Sequence, residues 1–273
     1  MERISQILLR HQSRGLTLLY DIMPEAACHD AAADLLRLPK GTILIVTGFC
    51  CFGQGETDGP VGSHFLALAL KRLGFNPIVV TDKYSLNYFI NSLYPVTLFQ
   101  EKAYAQRMMN MEKPVAMISI ERCGRSRDGK YYNMHRKEIT GITPPIDELF
   151  MIRPEGCLTI GIGDGGNEIG MGNYHDTLMA AGEIIPSCVK TDHCIIATVS
   201  NWGAYGLMAA LEQLAGMPLL PDSEDVKAFL QIIVAMGATD GILGPGHCST
   251  DGFDISTDAG ILEALRELKP EKI

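Results

Sequence analysis

Positive charge is scarce in this 273-residue chain: 23 Lys and Arg stand against 32 Asp and Glu, for a net charge of -9. That balance argues against a basic face able to track phosphates, and so against nucleic acid or an anionic membrane surface as a partner. Long apolar runs are also missing, and none reaches the roughly 18–20 residues that span a bilayer. The first 22 residues lack the apolar block and cleavage site of a secretory signal. Ile4, Ile7, Leu8 and His11 at helical spacing predict an amphipathic helix there instead. None of the eight cysteines has a partner at CxxC spacing, and Cys188, His193 and Cys194 fit no standard zinc pattern. Cys50, Cys51, Cys157 and Cys194 lie in apolar runs where a thiol serves as a small hydrophobe, which points to a reducing, intracellular compartment. No repeat, low-complexity block or linker divides the chain, so residues 1–273 are expected to form one domain.

What is present is alternation. Short apolar runs at 42–47, 77–81, 95–99, 115–120, 158–162 and 194–199 predict strands. Helical patterns fall at about 63–73, 205–214, 223–236 and 258–268. Runs apolar on both faces and separated by helices describe a doubly wound, mostly parallel α/β sheet, Rossmann-like, with ligands at the C-terminal ends of its strands. The polar stretch 121–145, with its Asp128-Gly129 turn, predicts an insertion or hairpin.

Two glycine-rich loops carry the candidate chemistry. In 160–172, six glycines surround Asp164, Asn167 and Glu168 directly after a strand. Glycine costs backbone entropy, and the density predicts a loop that brings Gly163, Gly165 and Gly166 close to a ligand. A literal GxGxxG is included, but Asp164 would oppose a pyrophosphate, and the residues after it do not begin a regular helix. Carboxylates at a strand end suit general acid–base work or a divalent cation. Read without function, Asp164 caps a turn and Glu168 faces solvent. The second loop, 48–60, adds Glu56, Thr57 and Asp58. Its Thr-Asp-Gly recurs at 239–241 and 250–252, which makes the tripeptide ordinary turn chemistry. Arg122 and Arg125 belong to the one basic cluster and predict a fork for an acidic substrate, or else a solvated hairpin. Asn201, Trp202 and Tyr205 are candidates for the same crevice, with Trp202 equally suited to the core. The loop at 244–248 contributes His247 as a further candidate side chain, or it is purely structural.

Together the motifs TGFC, GETDGPVG, ERCGRSRDGKYYN, GIGDGGNEIGMG and SNWGAYGL resemble the D-glutamate cyclase C-terminal-like domain family, over most of the chain. In animals that family forms the C-terminal part of mitochondrial D-glutamate cyclase, behind a hydro-lyase-like domain. The resemblance implies a lyase that converts D-glutamate to 5-oxo-D-proline and water, a mitochondrial matrix location, and a chain that is a fragment of a larger protein. The chemistry of that reaction assigns Asp164 or Glu168 as base, and Asn167 with the glycine-loop N–H groups as oxyanion donors. Arg122 or Arg125 would hold the α-carboxylate, and Glu56 and Asp58 the ammonium or a divalent cation. The other classes are a metabolite-binding or regulatory domain that partners the upstream one, and a phosphate- or nucleotide-using enzyme, since 161–164 is similar to the GxGD turn of sugar kinases.

Overall fold

The computed structural model describes residues 3–11, 17–20 and 22–268. Six strands form one sheet: β1 (Thr42–Thr47), β2 (Asn76–Thr81), β3 (Val96–Leu98), β4 (Ala116–Ile120), β5 (Leu158–Gly163) and β6 (His193–Ile196). Their order is β3-β2-β1-β4-β5-β6, and every pairing is parallel. This is the doubly wound α/β arrangement.

Alternate residues of β1 feed two separate cores, which is why the run TILIVT is apolar without a break. Ile43 and Ile45 join the side covered by the helices Ala27–Arg37, Pro60–Arg72 and Ser200–Ala215. Leu44 and Val46 face the helix Lys102–Glu112, with Met108, Met109 and Phe150. Gly62 lets two helices of the first layer close on each other: a Cβ there would lie 2.8 Å from Cβ of Ala204.

Two differences from the sequence expectation matter, one at the last strand and one at the N-terminus, whereas the 121–145 insertion is as expected. The last strand stops at Ile196 rather than 199, and the helix that follows starts at Ser200 rather than 205. The cause is Asp58, whose carboxylate receives the free N–H groups of Ser200 and Asn201 and fixes the helix start there. At the N-terminus the helix covers only Ile4–Leu8, and His11 takes a left-handed φ of 61°; residues 12–16 and 21 of that predicted element lie outside the described residues. The 121–145 stretch is a polar excursion with a turn at Gly129, tied across itself by a bridge between Tyr132 and Glu138.

Candidate active site

The chain runs from β1 outward to β3, then returns to β4 on the other side of β1. Loops leaving β1 and β4 therefore part, and a crevice opens at their C-terminal ends. A cavity of about 680 Å³ fills it, lined by residues that follow β1, β4 and β5 together with parts of the 133–142 and 241–251 segments.

Asp58 closes the loop after β1. Its Oδ1 accepts N–H bonds from Gly59 (2.9 Å) and Asn201 (2.7 Å), and its Oδ2 accepts from Ser200 (2.8 Å). A helix N-terminus favours a negative charge, but complete burial pushes this carboxyl well above the usual range, and the charge of Asp251 adds to the push.

Glu121 is the first residue beyond β4 and holds a left-handed φ of 46°, a conformation that costs a non-glycine residue about 1–3 kcal/mol. Gly59 is pressed against it, since a Cβ at Gly59 would sit 2.8 Å from Cβ of Glu121. Burial also drives the Glu121 carboxyl upward, helped by the charges of Glu168, Asp58, Glu56 and Asp251. Asp164 follows β5 and is buried. One carboxylate oxygen each from Asp58, Glu121 and Asp164 lies within 4.8 Å of the others. Three hard oxygen donors so placed suit a divalent cation such as Mg²⁺ or Mn²⁺.

The glycine loop encloses its own Glu168. Gly165 N–H donates to Oε1 and Gly166 N–H to Oε2, both at 2.7 Å. A Cβ on Gly163 would meet Oε2 at 2.8 Å, and one on Gly165 would meet Oε1 at 2.7 Å. Glu168 is buried rather than solvent-facing, and burial raises its pKa. The N–H groups that a pyrophosphate would need are engaged by this carboxylate, and a short 3-10 helix, Met171–Tyr174, follows. Both facts disfavour a dinucleotide.

Of the residues singled out from sequence, Glu56, Asp164, Gly165, Asn167 and Glu168 line the cavity, and Asp58 lies in the carboxylate cluster beneath it. Thr57 and Asn201 brace the site: Thr57 Oγ1 donates to Ser249 O at 2.9 Å, and Asn201 Oδ1 accepts from Gly59 N–H and Gly62 N–H. The two arginines are elsewhere. Arg122 is buried and donates to Asp82, Gly48 O and Pro144 O. Arg125 is held by Asp147 and Glu148, both at 2.7 Å. Neither faces the cavity, because these buried acceptors claim each guanidinium first. Asn167 and the glycine-loop N–H groups are likewise engaged, Asn167 Nδ2 donating to Tyr132 O at 2.8 Å. Trp202 and Tyr205 are core residues, and His247 is exposed away from the cavity.

Sequence reasoning missed Glu121, Ser200, Asp251, His135 and Lys137. Asp251 and Asp240 carried a signal in the repeated Thr-Asp-Gly. Asp240 accepts from Ile242 N–H, Leu243 N–H, Gly252 N–H and Ser249 Oγ, and so ties down the loop that presents Asp251 to the cavity. Gly241 packs tightly against this wall, and a Cβ there would force the Glu56 carboxylate to move.

Comparisons with known proteins agree with the motifs. Human mitochondrial D-glutamate cyclase is 32% identical over 199 residues, which is 62% of this chain and 32% of that protein. The match thus spans about a third of the relative's length. Among solved structures, RecJ from Thermus thermophilus in complex with Mn²⁺ aligns at a TM-score of 0.40 and 14% identity, covering 78% of this chain and 24% of that one. The model of the family described as "D-glutamate cyclase-like, C-terminal" matches residues 4–266, and the chain belongs to that family.

Proposed function

We propose that this chain is the catalytic part of a D-glutamate cyclase, a lyase that closes D-glutamate to 5-oxo-D-proline with loss of water. The supporting observation is the convergence of buried carboxylates, Asp58, Glu121, Asp164 and Glu168, at one end of the sheet beside a cavity of suitable size. The substrate enters with an ammonium group, which an acid-lined floor attracts. Its amine must lose two protons, and the departing carboxyl oxygen must gain two. A carboxylate that takes them from one and returns them to the other leaves no net proton behind.

Glu168 is the base best suited to this, because burial raises its pKa towards that of the group it must deprotonate. The N–H groups of Gly165 and Gly166 hold both its oxygens in place. Once neutral, the amine attacks the side-chain carboxyl carbon of the same molecule, a step governed by how the cavity folds the substrate. The expected oxyanion donors are engaged within the protein, so compensating positive charge must have another source. Asp58, Glu121 and Asp164 would hold a divalent cation, which would supply Lewis-acid polarisation of the carboxyl. The location of the human relative supports a mitochondrial setting for the full-length protein.

An assay of D-glutamate turnover with added Mg²⁺ or Mn²⁺ tests the reading. Glu168→Gln should lower kcat by roughly 10²–10⁴-fold. Undiminished turnover would remove Glu168 as the base. Binding of D-glutamate with no turnover by the wild-type chain would instead make this a metabolite-binding domain.

A further inference from the structure

One wall of the cavity differs in charge from everything that faces it. The floor presents Glu56, Glu121, Asp164, Glu168 and Asp251, whereas the wall presents Lys137 and His135 together with Glu138, whose carboxylate is paired with Lys130. Among the described lining residues, Lys137 is the sole Lys or Arg.

The placement of that lysine is built into the chain. Asn133 Oδ1 accepts from the N–H groups of His135 and Lys137, both at 3.0 Å, and Asn133 N–H donates to Lys137 O at 3.0 Å. Between them Arg136 takes a left-handed φ of 61° and donates outward to Gly182 O at 3.1 Å. The turn therefore directs residues 135 and 137 to the cavity and residue 136 away from it. Asn167 bolts the turn to the floor through Tyr132 O. Glu138, the nearest acid in sequence, is held by Lys130 at 2.8 Å, and the Lys137 ammonium makes no ion pair among the described residues.

A cavity acidic on one side and basic on the other selects a ligand with the opposite arrangement. Resting on the cyclase reading above, we infer that Lys137 is a specificity-determining residue that binds the α-carboxylate of an α-amino-acid substrate, while the ammonium and side-chain carboxyl face the acidic floor. A charge-assisted bond at the rim then separates amino acids from simple amines that share the reacting groups.

4-Aminobutyrate provides the test, since it keeps the amine and the reacting carboxyl and lacks the α-carboxylate. By titration calorimetry in the presence of Mg²⁺, the wild-type chain should bind D-glutamate about tenfold or more tighter than 4-aminobutyrate. Lys137→Ala should lose that margin, and Lys137→Arg should keep most of it. Arg136→Ala, altered on the outward side of the turn, should leave it intact. A margin that survives Lys137→Ala, or is absent from the wild type, would overturn the assignment. A margin present without any cyclisation of D-glutamate would support Lys137 and remove the cyclase reading alone.

Discussion

Ser200 Oγ donates a 2.6 Å hydrogen bond to Oε2 of Glu121, and its backbone N–H donates at 2.8 Å to Oδ2 of Asp58. The first residue of one helix thus orients two buried carboxylates that arrive from different loops. Ser200→Ala removes the bond to Glu121 while leaving the backbone bond to Asp58. It should lower D-glutamate turnover by roughly 10–100-fold, the usual effect of losing a partner that orients a ligand-bearing group. Steady-state kinetics beside a thermal melt check this; turnover equal to wild type would show that the bond does not position Glu121.

The carboxylate cluster predicts opposite effects with and without cation. Glu121→Gln relieves charge repulsion in a buried site, so the metal-free variant should melt higher than metal-free wild type. Saturating Mn²⁺ should stabilise the wild type by about 2–3 kcal/mol at a hundredfold excess over Kd, and should leave the variant nearly unmoved. Thermal shifts with Mn²⁺ and with a chelator decide the matter. An equal Mn²⁺ response in both proteins would mean that Glu121 is no ligand.

Arg122 and Asp82 form an ion pair in which both side chains are 1% exposed. Breaking such a pair leaves an uncompensated buried charge and typically costs about 3–5 kcal/mol. Arg122→Met should therefore show that loss in urea unfolding. A fall below about 1 kcal/mol would contradict a structural role.

Burial raises the Asp258 carboxyl to about 7, while Trp202 Nε1–H donates to its Oδ1 at 2.5 Å. Between about pH 4 and pH 7 the unfolded chain releases this proton and the folded chain keeps it. The stabilising contribution is therefore full at low pH and disappears as pH climbs through 7. Asp258→Asn keeps an acceptor for Trp202 and cannot ionise. Relative to wild type, its Tm should be several degrees higher at about pH 8 than at about pH 4.5. A difference that does not vary with pH would place the titration elsewhere.

Strand positions were legible because a parallel sheet buried on both faces leaves an uninterrupted apolar run such as Thr42–Thr47. The glycine loops were legible as a candidate site because their density has few structural uses, and residues of both line one cavity. The partners of a charge could not be read in the same way. Arg122 is indistinguishable in sequence from a substrate-binding arginine, and only the arrival of Asp82, Gly48 O and Pro144 O from three other segments gives it a different task. Glu121 was hidden for a related reason: it opens a stretch that reads as a polar hairpin, and its left-handed backbone leaves no mark in the composition. The repeated Thr-Asp-Gly was discounted as turn chemistry, yet Asp58, Asp240 and Asp251 are all buried at the same end of the sheet.

The basic wall of the cavity contributes no strand to the sheet. Side-chain bonds such as Asn167 to Tyr132 O and Tyr131 OH to Asp147 hold it in place. Its tip can consequently be lengthened, shortened or recharged without shifting a single β-ladder register.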